Sequence, residues 1–176
     1  MKVSAILIAL ITLSITSCSA VKLSDRINKD RELNDSNYSQ LKGSYSNRST
    51  NYARDSHTIL KTLTTDTVKQ RRNFMVKIEP LDNESLIVKF YNDSIPKEIK
   101  LTGRYKRGYF KVKREWNHKF LVGPLFWGFG DKINYIGLRN NNDLVILNSR
   151  GGTAFIFVVP AFSAGGQFNA TFKREK

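Results

Sequence analysis

From Phe74 to the end of the chain, apolar residues recur at every second position. Phe74, Val76 and Ile78 alternate with Met75, Lys77 and Glu79; Leu86, Val88 and Phe90 form one face of the next run. Ile99, Leu101 and Tyr105 follow, then Phe110, Val112 and Trp116, then apolar runs at 133–138, 144–147, 154–159 and 168–172. A period of two puts alternate side chains on one face of an extended chain, so these runs are strands. Turn residues separate them: Asp82-Asn83, Asn92-Asp93-Ser94, Arg107-Gly108, Asn140-Asn141-Asn142 and Gly151-Gly152. Connections this short join antiparallel neighbours, because parallel pairing needs a crossover of about a dozen residues or more. The expected fold is therefore all-β, an antiparallel meander of about eight to nine strands that closes as a small barrel or packs as a sandwich.

One helix is expected ahead of the meander. Asp55 or Ser56 can cap a turn that carries Ile59, Leu60 and Leu63 on one side, and Thr62, Thr64 and Thr65 limit it to about two or three turns. A loop with buried aliphatics is the alternative. In a barrel either would plug one end. The run at 154–159 is apolar on both faces, as in a strand covered on both sides. Pro160 ends it, and 161–166 reads as a flexible return to the last strand.

Composition excludes several classes. With 40% hydrophobic and 25% charged residues the chain is too apolar for a disordered protein. One cysteine rules out a disulfide framework, and one cysteine with two histidines leaves little for a zinc or iron–sulfur site. No metal and no cofactor is expected. There is no Gly-x-Ser-x-Gly elbow, no His-Glu-x-x-His pair and no Gly-rich phosphate loop. Glu115 and His118 are three apart, which on a strand puts them on opposite faces. Glu79 and Glu84 flank a turn, where carboxylates commonly serve solubility. The chain does not read as an enzyme.

The N-terminus points to an envelope location. Lys2 precedes an apolar stretch at 3–15, too short to span the about 20 apolar residues of a bilayer core, so 1–17 reads as a signal peptide. Ile15-Thr16-Ser17-Cys18 resembles the lipobox of bacterial lipoproteins: an aliphatic residue, two small ones and a cysteine. The resemblance implies cleavage before Cys18 and attachment of fatty-acyl chains such as palmitate, giving a stable anchor. A plain secretory peptide with an incidental cysteine is the other reading. Ser19 stands where an aspartate would signal inner-membrane retention, which in such lipoproteins implies the outer membrane. No acidic cluster follows, which favours the periplasmic face over the cell surface. Residues 18–40 are polar and charge-balanced, a tether, and the β domain is expected at 41–176.

The start of that domain carries a second resemblance. Gly43-x-Tyr45, then a short helix, then a meander, is similar to the layout of lipocalin-like barrels, which open on a Gly-x-Trp strand. The family's Thr-Asp-Tyr signature is absent here, and no arginine is matched to its barrel-closing one. The resemblance implies a barrel and no particular ligand.

Two stretches are candidates for binding. The formal net charge is +14, and residues 97–114 carry eight Lys or Arg against Glu98 alone. A two-residue turn at Arg107-Gly108 sets Tyr105 against Phe110 and Gly103 against Val112 on the apolar side, and Arg104 opposite Lys111 on the polar side. Like charges directly opposite weaken the pairing, and an anion held by Arg104, Lys111 and Lys113 would offset that. In the envelope the anion would belong to a lipid, a lipopolysaccharide or an acidic glycan; nucleic acid fits the charge and not the compartment. A solubilising cationic face is the plain alternative. Residues 117–132 are the second stretch, too apolar for a solvated loop and too broken by glycine and proline for a regular strand. With Trp116 at their edge, Phe126, Trp127 and Phe129 would form a lid, a ligand wall or a surface that docks on lipid or another envelope protein; a bulged strand filling the core is the alternative. The combined expectation is a non-catalytic binding protein whose ligand meets both stretches, or an interaction subunit docking through the aromatic one.

Overall fold

The computed structural model describes residues 30–52, 58–63, 74–92, 95–113, 115–122, 126–156 and 159–175. Ten strands follow one another: β1 (Asp30–Arg31), β2 (Gly43–Ser49), β3 (Met75–Asp82), β4 (Ser85–Asn92), β5 (Ile95–Lys106), β6 (Tyr109–Val112), β7 (Glu115–Val122), β8 (Phe126–Arg139), β9 (Leu144–Ile156) and β10 (Val159–Glu175). A 3-10 turn (Tyr38–Leu41) precedes β2, and one helical turn, α1 (Ile59–Leu63), follows it.

Eight antiparallel strands form a ring-like sheet. β2, β3, β4, β5, β6, β8, β9 and β10 hydrogen-bond in that order, and β10 returns to β2. β7 continues β6 along the same edge of β8: Lys111 faces Tyr135 and Glu115 faces Lys132. Four steps on one strand match three on the other, the one-residue excess of a β-bulge. From there β7, β8, β9 and β10 continue beyond the ring as a four-stranded antiparallel extension, since β10 meets β2 only from Phe172 onward.

The expected alternation builds the core. Tyr45, Val76, Ile78, Leu86, Val88, Phe90, Leu101, Phe110, Val112, Ile136, Leu138, Leu144, Ile146, Ala170 and Phe172 are buried in one cluster inside the ring. Ile59, Leu60 and Leu63 of α1 join it, with the buried Asn47 side chain accepting the Leu60 amide at 3.4 Å. The helix is a single turn, and its cap is Thr58, whose Oγ1 accepts the Lys61 amide at 3.1 Å; Asp55 and Ser56 lie outside the described residues. On the other face of the ring Tyr109, Val145 and Leu147 make a second, smaller cluster with Tyr135.

Three expectations are corrected. Gly151, Gly152, Gly165 and Gly166 mark no turns: they sit in β9 and β10, with Gly151 opposite Gly165. Pro160 does not end a strand but pairs with Phe155 next to a bulge, and 161–166 is part of β10. The glycines expected to break 117–132 do not: Gly128 and Gly130 lie within β8, opposite Lys119 and Asn117. Gly128, Gly130, Gly151 and Gly152 are held by pairing on both edges, and Pro160 to Gly166 by the β9 ladder on one edge, which outweighs the weak strand preference of glycine and proline. Ordered packing also starts before Leu41, because Leu33 is buried in the core and bridges Gly108.

A candidate anion-binding groove

The β5–β6 hairpin turns in two residues, Arg107 at φ 54° and Gly108 at φ 80°. Positive φ at both central positions is the turn geometry whose twist matches that of the flanking strands. The register that follows is the one the sequence implies: Gly103 faces Val112, Arg104 faces Lys111, and Tyr105 faces Phe110. Gly103 has no space for a side chain, because a Cβ there would meet the Lys111 carbonyl oxygen and the Phe110 ring.

Beside this hairpin lies an open groove of about 580 Å³, lined by Asp82, Glu84, Ser85, Lys100, Thr102, Gly103, Arg104, Lys111, Val112 and Lys113. The structure thus gathers Arg104, Lys111 and Lys113 and adds Lys100 to them. Arg104, Lys100 and Lys113 are exposed, and Lys111 is half-buried with its ammonium 5.8 Å from the Tyr135 ring centre. Backbone bonds hold the floor together: the Lys113 amide donates to Thr102 at 2.7 Å and the Gly103 amide to Glu84 at 2.8 Å.

The acidic end is committed to its own turn. Asp82 Oδ1 accepts the Glu84 amide and the Ser85 hydroxyl, each at 2.8 Å. Those bonds, the amide's foremost, hold its carboxyl below the usual range. Glu79, in one cross-strand row with Ile87 and Lys100, is pulled down to about 2 by hydrogen bonds from Lys89 and then Lys77. Neither carboxyl keeps a proton near neutral pH, as a general acid must. Four cations against two carboxylates leave the groove net positive, suited to a phosphate, sulfate or carboxylate group.

The other sequence candidates lie elsewhere. Trp116 is in β7 opposite Asp131; Phe126 and Trp127 are in β8 opposite Ile156 and Phe155; Phe129, half-buried, is opposite Thr153. Tyr135, the partner of Lys111, is eight residues from Trp127 on β8, about 27 Å at strand rise. Trp127 and the groove therefore lie apart along β8. The two form separate features. Cys18, His57 and Arg114 lie outside the described residues. Sequence reading missed Lys100, Asp82 and Glu84 as neighbours of this site; counting back from the 92–94 turn would have placed Lys100 beside the β3–β4 turn. It also missed a buried polar seam where ring and extension meet, in which Asn148 donates to Asn134 at 2.6 Å and accepts from Arg150 at 3.0 Å. Among the described residues no group of three or more His, Cys, Asp or Glu could hold a metal, and no helix is long and apolar enough to cross a membrane. No family model, no curated protein and no solved structure matches the chain.

Proposed function

We propose that the chain is a non-catalytic protein of the cell envelope, lipid-anchored at Cys18 on the periplasmic side of the outer membrane, that binds the anionic group of an envelope molecule in the groove beside the β5–β6 hairpin. The observation that carries this reading is Arg104 set directly opposite Lys111, with Lys100 and Lys113 along the same groove. Opposed like charges cost up to about 1 kcal/mol, and a bound anion offsets that cost.

We further read the ring as a small lipocalin-like barrel. Arg174 supports this: its guanidinium lies 5.8 Å from the Tyr45 ring centre and donates to the carbonyls of Lys42 and Gln40. Gly43 beneath it leaves room, since a Cβ there would sit 2.9 Å from Nε. We read Arg174, beside Gly43-x-Tyr45, as the counterpart of the family's barrel-closing arginine.

The test is Arg104→Glu, with phosphatidylglycerol vesicles, lipopolysaccharide and polygalacturonate as probes for the lipid, lipopolysaccharide and glycan sources. The variant should bind its preferred probe at least about tenfold more weakly at low salt, and wild-type binding should weaken as salt rises. Its stability should rise by a few tenths to about 1 kcal/mol, because the introduced carboxylate would face Lys111 with the opposite charge. Equal binding of all three probes by variant and wild type would overturn the proposal.

A further inference from the structure

The four strands that run past the ring end in a region without charge. No Asp, Glu, Lys or Arg occurs at 120–130 or at 151–172. The register sets Phe126 and Val159 both opposite Ile156, so the start of β8, the end of β9 and the start of β10 lie side by side. Phe120, Trp127 and Phe155 stand in one cross-strand row just behind. The same end of the ring is where β3 and β5 begin and β4 finishes, and there Met75, Tyr91 and Ile95 expose 59%, 66% and 59% of their surface. Behind the uncharged residues charge returns first at Lys119, opposite Gly128 and one residue behind the Phe120–Trp127 pair, and further back at Asp131 and at Lys132, which faces both Glu115 and Arg150.

We propose that this end of the molecule seats in the surface of a bilayer that carries anionic lipid. A leaflet presents an apolar layer and then an anionic headgroup layer, in the order in which the ladder places the apolar residues and then Lys119. Tryptophan and tyrosine favour that boundary, and long cationic side chains reach back from it to the phosphates. A protein partner would need an acidic rim around an apolar seat to match the same pattern. The seating is shallow for two reasons. A strand needs about nine to eleven residues to cross the hydrocarbon, whereas the uncharged part of β8 is 126–130. The outer edges of β7 and of β10 over 159–167 pair with no strand among the described residues, and unpaired backbone groups in hydrocarbon cost several kcal/mol each. The end therefore rests within the outer about 5–10 Å of the leaflet.

The chain's two tryptophans measure this depth. Trp127 is at the seated end, and Trp116, opposite Asp131, is four residues further back on the ladder, about 14 Å. The full chain is reconstituted in vesicles of phosphatidylcholine with and without phosphatidylglycerol, each containing acyl-brominated lipid, as Trp116→Phe and Trp127→Phe single-tryptophan variants whose circular dichroism matches the wild type. The readout is depth and not attachment, so a lipid anchor does not decide it. Quenching should be at least about twofold greater for Trp127 than for Trp116, as the offset exceeds the seated depth, and greater with phosphatidylglycerol present. Absence of Trp127 quenching, or equal quenching of the two, would overturn the proposal. So would a blue shift of Trp127 without vesicles that grows with protein concentration, which would assign the surface to a second copy of the chain.

Discussion

Two tyrosines packed into the same core meet opposite fates. Tyr45 is fully buried and its hydroxyl donates to the Leu41 carbonyl at 2.9 Å. Tyr105 packs between Tyr38 and Phe110, with ring centres 5.9 and 5.2 Å away, and its buried hydroxyl has no hydrogen-bond partner among the described residues. Removing a bonded hydroxyl strands its acceptor, while removing an unbonded one relieves a desolvation cost. Tyr45→Phe should therefore lower the unfolding free energy by about 1 kcal/mol, and Tyr105→Phe should leave it unchanged or raise it by up to about 1 kcal/mol, both measured by denaturant titration. Burial pushes Tyr45 up to about 12 and raises Tyr105 as well. A raised folded-state value means the protonated phenol is favoured in the fold. That contribution is fully present below pH 10 and is lost as pH rises toward 12, so stability should fall across this window and fall less in Tyr45→Phe. The alternation of the sequence places both rings inside the ring of strands; which hydroxyl finds a carbonyl depends on the 3-10 turn at Tyr38–Leu41, and nothing local in the sequence signals that.

At the scale of elements, the β5–β6 hairpin is the part most fully legible beforehand. Its strands, its two-residue turn and its cross-strand pairs all follow from alternation on either side of Arg107-Gly108, because a two-residue loop allows one register only. Arg107 nevertheless pays for its φ of 54°, since a left-handed conformation costs a residue with a Cβ about 1–2 kcal/mol, and less for asparagine. Arg107→Asn should thus raise the thermal midpoint while leaving the Arg104–Lys111 register intact; a lower midpoint would count against this turn geometry. The β9–β10 hairpin departs from its sequence reading for a complementary reason. Glycine pairs at 151–152 and 165–166 resemble turns when each is seen against its own neighbours. In the sheet Gly151 is opposite both Asp131 and Gly165, and the ladders, on both sides of β9 and on one side of β10, keep the four glycines extended. A Cβ at Gly151 would come within 2.8 Å of Asp131 Oδ1, a close approach that arises between strands and is invisible along one.

The whole molecule brings together a closed ring, an extension that leaves it at one end and, by the proposed reading, a lipid anchor. β1 and Leu33 meet the ring at Arg139, Leu138 and Gly108, at the end opposite the extension. If Cys18 carries the lipid, Cys18→Ser should turn a protein that resists carbonate extraction into one that carbonate and high salt strip from membranes. Persistence in the carbonate-resistant pellet would remove the lipid-anchor account. A shallow seat of the extension is the kind of contact that such washing reverses, so the two attachments separate in this measurement. By itself the sequence determined that the chain is an antiparallel all-β protein, which residues face its core, and the pairing of the β5–β6 hairpin, because a period of two and a tight turn act between near neighbours. Only the tertiary structure decided that the strands close on themselves, that Arg174 comes to lie over Tyr45, that Lys100 joins Arg104, Lys111 and Lys113, and that the aromatic stretch continues as regular strands away from that groove. Those outcomes depend on pairings between distant segments, β10 with β2 and β8 with β9, whose hydrogen bonds are specified by neither strand alone.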